Sequence, residues 1–261
     1  MTPHPDDVAL SHRLAAAADA ISAPLHGDPL RVSRKADGTL VSAADLLVEE
    51  ALLQILREER AGDTVLSEEH GTLAGNPGRR WILDPIDGTD PFLSGQRSWG
   101  THIALEVDGE LEIAVITRPT EGRRWWAARG QGAWSRRADA PRAEDTALRV
   151  STVDRLAAAR VGGFVDPGSR TAAVIAEHAR WVADPLGDVI GLVEGRVDAV
   201  IAPGGQLWDH APQVLLTVEA GGRYTDRDGG SSPAVRGGLY TNGALHPQVL
   251  AVPELGWIAA R

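Results

Sequence analysis

Asp84 and Asp87 stand three residues apart in Trp81-Ile82-Leu83-Asp84-Pro85-Ile86-Asp87-Gly88-Thr89, directly after an apolar run. Two carboxylates crowded at one strand end repel each other unless cations sit between them. Pro85 fixes one φ and Gly88 relieves the backbone where a helix can start, so the turn is able to aim both acids and the Ile86 carbonyl at one point. Such oxygens are hard ligands and suit Mg2+ far better than copper or zinc. The amides of Gly88 and Thr89 would face the same space, a favourable place for phosphate oxygen. Taken alone, this turn is equally readable as a polar closure of a strand. Two companions change the odds. Leu66-Ser67-Glu68-Glu69-His70-Gly71 puts adjacent acids at another strand end, where a neighbouring strand could bring one of them beside Asp84. Trp208-Asp209 follows an apolar strand and a glycine-rich turn and opens a helix, where the acid could also be a plain cap.

Several elements must position these residues. An opening helix is expected after Asp6-Asp7, ending near His26-Gly27-Asp28. A second begins at Ser42, with Ala43, Leu46, Leu47, Ala51, Leu52 and Ile55 as its apolar face and Glu49, Glu50, Arg57 and Glu58 on the other side. Between Thr64 and Trp134 short runs (Trp81–Leu83, His102–Val107, Leu111–Ile116, Arg124–Ala127) alternate with hairpin signals at Asp108-Gly109 and Gly130-Gln131-Gly132. Beyond Val150, Ser151 is expected to cap a short helix, Val161–Val165 and Val197–Ile201 to be strands, and Thr171–Trp181 and Trp208–Glu219 to be helices. This order predicts an α+β front half, residues 1–140, and an α/β back half, residues 141–261, joined in the polar stretch Arg136–Asp145.

With 261 residues, 43% hydrophobic and 24% charged, the chain can bury a sizeable core. A net charge of -10 argues against a nucleic-acid backbone or an anionic membrane as partner. There is no cysteine, which excludes disulfides, thiolate metal sites and a thiol nucleophile, so any metal must sit on oxygen or imidazole. His70, His102, His178 and His210 lack metal-ligand spacing and read as hydrogen-bonding groups. No run of 18 apolar residues or basic leader occurs, so a cytoplasmic location is expected.

Ser67-Glu68-Glu69, Asp84-Pro85-Ile86-Asp87-Gly88-Thr89 and Trp208-Asp209 resemble, in order and spacing, the signature motifs of the inositol monophosphatase superfamily. The likeness spans nearly the whole chain, from Lys35-Ala36-Asp37-Gly38-Thr39 through Asp45 to Ala220-Gly221-Gly222 and Thr241-Asn242-Gly243. It implies a layered α-β-α-β-α sandwich, a Mg2+-dependent phosphomonoesterase and a homodimer. By matching position, Glu68, Asp84 and the Ile86 carbonyl would hold one Mg2+, and Asp84, Asp87 and Asp209 a second. A third, weaker ion would lean on Glu68. Asp45 and Thr89 match the pair that orients the attacking water, and the Gly88 and Thr89 amides match the phosphate cradle.

Arg123-Arg124-Trp125-Trp126, within the segment ending Gly130-Gln131-Gly132, resembles the bacterial histidinol-phosphate phosphatase branch, although paired core tryptophans in a hairpin account for Trp125 and Trp126 as well. Three positions depart from the family pattern. Asp90-Pro91 stands where Asn precedes Phe, Ala202 matches the family's substrate-contacting Glu, and Gly187-Asp188 lies about three residues too close to Glu194-Gly195. The expected substrate is histidinol phosphate, whose cationic end needs an acid; Asp188 is the candidate and Asp184 the weaker second. Alternatives are inositol-1-phosphate or another sugar, cyclitol or nucleotide phosphate. A metal-binding regulatory homologue is the non-enzymatic alternative, against which the water-orienting pair argues.

Overall fold

A computed structural model describes residues 3–35, 38, 40–182 and 188–252. The chain divides into two units, Met1–Gly130 with Trp134–Thr146, and Gln131–Ala133 with Ala147–Arg261.

In the first unit, helix α1 (Pro5–Ser22) starts with His4 as cap and acids at Asp6 and Asp7, which suits the positive end of the helix dipole. It ends earlier than the sequence suggests, because Pro24 turns the chain into a 3-10 turn at Ala23–Leu25. Strands β1 (Val32–Arg34) and β2 (Leu40–Ser42) form an antiparallel pair. Helix α2 (Ala43–Glu59) follows at once, with Ser42 as its cap.

The main sheet comes next: β3 (Asp63–Ser67), β4 (Gly71–Leu73), β5 (Asn76–Asp87), a five-residue helix α3 (Thr89–Leu93), then β6 (Gly100–Val107), β7 (Glu110–Arg118), β8 (Arg123–Ala128), β9 (Ala133–Arg137) and β10 (Thr146–Ala147). Its order is β10-β9-β8-β7-β6-β5-β3-β4. β3 runs parallel to β5, while β6 lies antiparallel on the other side of β5.

Side-chain alternation along each strand selects the face that meets the helices. Trp81 and Leu83, Ile103 and Leu105, Ile113 and Val115, and Trp126 join Val8, Leu14, Val48, Leu52 and Leu56 of α1 and α2 in one buried cluster. Trp125, one residue out of phase, faces the opposite side, where the Arg123 guanidinium lies 4.8 Å from its ring centroid. The paired tryptophans are therefore core residues.

The second unit contains β11 (Arg160–Gly163), α4 (Arg170–His178), β12 (Arg180–Trp181), α5 (Val189–Val193), β13 (Ala199–Ala202), α6 (Leu207–Glu219), β14 (Arg223–Asp226), β15 (Gly238–Thr241) and α7 (His246–Leu250). The strand order is β12-β11-β13-β15-β14. β11 is parallel to both its neighbours, and β15 is antiparallel to both of its own. Val161, Ile175, Ala199, Ile201, Leu239, Leu245 and Val249 form its core.

Two expectations are corrected here. Thr171–Trp181 is not one helix: the chain turns extended at Ala179, and Arg180 and Trp181 pair with β11. Ser151 caps nothing; its hydroxyl donates to the buried Asp198 at 2.5 Å. Asp198 also accepts from the Arg160 backbone and guanidinium, and Asn242 donates to the Ser151 oxygen. That network gives Thr241-Asn242-Gly243 a structural role. No helix among the described residues is long and apolar enough to cross a membrane.

Candidate active site

β5 carries its apolar triplet Trp81-Ile82-Leu83 between two neighbours and delivers Asp84, itself buried, opposite His102 of β6. The register then slips, so that Asp87 comes to face Gly100. The slip is held by Thr101, whose hydroxyl donates to the Pro85 carbonyl at 2.8 Å. A carboxylate oxygen of Asp84 and one of Asp87 lie within 4.8 Å of each other. His102 Nε2 sits 3.4 Å from Asp87 Oδ2. Gly88 then adopts φ +84°, a conformation that strains any residue with a Cβ, and α3 begins at Thr89.

The parallel strand β3 brings in the next acid. Ser67 pairs with Leu83 and the Glu68 amide donates to the Leu83 carbonyl at 3.1 Å, so Glu68 leaves the sheet beside Asp84. Lys35 Nζ lies 2.7 Å from Glu68 Oε1 and 2.7 Å from Glu69 Oε1. Burial pushes the Glu69 carboxyl up to about 7, against the Lys35 hydrogen bond that favours its charged form. Of the family-like segment that begins at Lys35, Ala36, Asp37 and Thr39 lie outside the described residues.

α2 supplies the remaining piece. Asp45 Oδ2 accepts from the Ser42 amide at 2.7 Å and hydroxyl at 2.6 Å, and its Oδ1 accepts from the Thr89 hydroxyl at 3.3 Å. The Ile86 carbonyl lies 3.4 Å from the same hydroxyl. Burial raises the Asp45 carboxyl above the usual range, and the Ser42 donors oppose that. The first unit thus brings together Asp45, Thr89 and the Ile86 carbonyl by hydrogen bonds and Asp84 and Asp87 at the end of β5, with the Glu68 backbone beside Asp84 and its carboxylate on Lys35. Every donor in this set is a carboxylate, carbonyl or hydroxyl oxygen, a fit for Mg2+ on ligand chemistry.

In the second unit Asp209 is the third residue of α6, and its Oδ2 accepts from the Gln206 amide at 2.6 Å, closing a capping box. Asp188 is the cap of α5, accepting from the Gly191 amide at 2.9 Å. Ala202 is buried on β13. Asp184 and Gly187 lie outside the described residues.

Sequence reasoning missed Glu49. Assigned to the solvent side of α2, it is fully buried. Its Oε1 accepts from the Glu69 and His70 amides at 3.3 and 3.2 Å, and its Oε2 lies 2.6 Å from His70 Nδ1. Glu49 therefore fixes the loop that Glu68 begins. The available signal was helical spacing: it lies four residues after Asp45, on the same face as Leu52, Leu53 and Leu56. Glu49→Ala strands three donors and is expected to lower stability by about 2–3 kcal/mol in thermal unfolding. Glu49→Gln, which keeps the acceptor, should recover more than half; equal losses in the two variants would remove this anchoring role.

Residues 7–254 match the profile of the inositol monophosphatase family. A Streptomyces griseus protein named glucose-1-phosphate thymidylyltransferase is 52% identical over 88% of this chain and 89% of its own length. The histidinol-phosphatase of Mycobacterium tuberculosis is 38% identical over 94% of this chain and 96% of its own. Among solved structures, an inositol monophosphatase of Thermotoga maritima superposes with a TM-score of 0.81 at 23% identity, covering 95% of this chain and 96% of that one, a likeness of fold.

Proposed function

The chain belongs to the inositol monophosphatase family and is a metal-dependent phosphoric monoester hydrolase of α+β fold, and we propose that its substrate is histidinol phosphate. The name carried by the Streptomyces griseus relative falls on the stretch that the family profile also covers, so it adds no second domain to this chain. Likeness to the Mycobacterium tuberculosis histidinol-phosphatase over nearly both whole chains is what supports the substrate. The proposal takes two or three Mg2+ ions per site and a cytoplasmic homodimer.

The proposed ligands are Glu68, Asp84, the Ile86 carbonyl, Asp87 and Asp209, with the Gly88 and Thr89 amides receiving phosphate oxygens. When bound, Mg2+ supplies neutralisation of the phosphoryl oxygens and acidification of the attacking water. The Asp45–Thr89 hydrogen bond is the observation that carries the hydrolytic reading. Because the Thr89 hydroxyl donates to Asp45, its lone pairs remain to accept from a water, whose oxygen is thereby turned toward phosphorus. As that oxygen bonds to phosphorus the ester P–O bond breaks, its electron pair leaves on the alcohol oxygen, which takes a proton from solvent water, and the proton of the attacking water passes through Thr89 toward Asp45 Oδ1.

A panel of histidinol phosphate, inositol-1-phosphate and p-nitrophenyl phosphate, assayed by phosphate release with Mg2+, tests the substrate. Asp188→Asn is the informative variant, since Asn caps a helix as well as Asp and only the charge is lost. It should raise KM for histidinol phosphate by about one to two decades and leave p-nitrophenyl phosphate nearly unchanged. A wild-type preference for inositol-1-phosphate would overturn the histidinol assignment.

A further inference from the structure

His210 directly follows Asp209 on α6 and is buried, and both ring nitrogens are engaged. Nε2 lies 2.7 Å from the Gly204 carbonyl and Nδ1 lies 2.5 Å from the Tyr240 hydroxyl. A carbonyl can only accept, so Nε2 carries the proton; in the neutral ring Nδ1 then accepts from Tyr240. With both nitrogens occupied in this way, His210 is not itself a metal ligand. Tyr240 is a rigid anchor, fully buried on β15, with its ring 6.1 Å from that of His210 and 4.8 Å from that of Tyr224.

The carbonyl that His210 holds belongs to the turn entering α6. Gly205 has φ +104°, and a Cβ there would come within 2.5 Å of His210 Nε2. One residue later the Gln206 amide donates to Asp209 Oδ2 at 2.6 Å. The turn is therefore tied at one point to the imidazole and at the next to the Asp209 carboxylate, so the orientation of that carboxylate follows the turn.

We propose that His210, fastened by Tyr240, is a positioning residue that fixes the 203–206 turn and through it the Asp209 carboxylate for Mg2+. The inference rests on the reading of Asp209 as a metal ligand. Supporting partners behind metal ligands commonly govern affinity by about 10- to 100-fold.

The test is calorimetric titration of Mg2+ into metal-free protein, with kcat and KM measured alongside. His210→Leu removes both hydrogen bonds and should weaken Mg2+ binding by about tenfold or more. His210→Gln keeps a donor near the Nε2 position and should bind within about threefold of wild type. Tyr240→Phe leaves the imidazole in place, removes its anchor and should give an intermediate loss, while adding it to His210→Leu should cost nothing more, because the two act through one contact. Should His210→Leu fail to fold, Tyr240→Phe carries the expected loss, with His210→Gln as its near-wild-type reference. If His210→Leu and Tyr240→Phe, or Tyr240→Phe alone where His210→Leu does not fold, lower the melting temperature but leave Mg2+ affinity within about threefold of wild type, the pair is merely structural and the proposal is overturned. Wild-type protein that neither takes up Mg2+ nor releases phosphate would instead overturn the metal reading and this inference with it.

Discussion

Asp87→Asn is expected to leave less than about a thousandth of wild-type kcat while the metal-free protein melts no lower than wild type. Asp87 sits at the end of β5 with an oxygen within 4.8 Å of one from Asp84. In the absence of cations that pair repels by about 1–3 kcal/mol at an effective dielectric near or above 20. Asn keeps the shape and removes the charge, so the fold loses a repulsion while the proposed site loses a ligand and the field that would attract Mg2+. The same variant should lose most of the stabilisation that excess Mg2+ gives wild type, about 3–4 kcal/mol at a hundred to a thousand times Kd. Activity within tenfold of wild type would remove Asp87 from the metal set, and a metal-free protein that unfolds more easily would mean the acid serves the fold.

Gly100→Ala should be the most damaging small substitution in the first unit. A Cβ at Gly100 would lie 1.7 Å from the Thr117 carbonyl oxygen, a backbone atom of β7 that cannot step aside without opening the β6–β7 ladder. The amide of the next residue, Thr101, donates to Thr117 Oγ1, and its hydroxyl donates to the Pro85 carbonyl. Prying the strands apart therefore disturbs the register slip that sets Asp87 opposite Gly100. Loss of about 3 kcal/mol or more is expected, lowering the melting temperature by roughly 6–12 °C, with activity falling alongside. Gly62→Ala, where no atom lies within 4 Å of the added carbon, is the control and should be nearly neutral. If the two variants melt within about 2 °C of each other, strand closure at Gly100 is not what holds the motif.

The shape of the acidic turn was legible because its parts are local. Asp84, Pro85, Asp87 and Gly88 determine a strand end and a positive-φ turn within a few residues, and an apolar triplet announces the strand. The face of α2 that carries Asp45 was only half legible. Apolar spacing marked the helix but misplaced its face: Leu46 and Leu47, expected on the core side, are exposed, while Glu49, a charge on the buried side, reads as solvent-facing until its partners are known. Those partners of Glu49 are backbone amides twenty residues away, which no composition or period reveals. Lys35, whose amine bridges Glu68 and Glu69, hid for the same reason. In the second unit, Thr171–Trp181 has helical spacing throughout, yet pairing with β11 overrides it after His178, a tertiary effect. Asp188 shows the converse: its cap role was open to sequence reasoning, since an acid before a short apolar run is a common helix start.

β5 lies inside the sheet, and each residue of its apolar triplet is paired on both sides: Trp81 with Val65 and Leu105, Ile82 with Leu66 and Ala104, Leu83 with Ser67 and Ile103. A strand at the sheet's edge, such as β4, can peel away by breaking one ladder. Freeing β5 requires breaking two and exposing Trp81 and Leu83 to water, so the segment that bears Asp84 opens near the full cost of unfolding its unit. Breathing at the periphery thus leaves the spacing of the two acids unchanged. On heating, the spacing of Asp84 and Asp87 is then lost with the first unit as a whole, with no earlier phase in which that unit is folded and its two acids have lost their alignment.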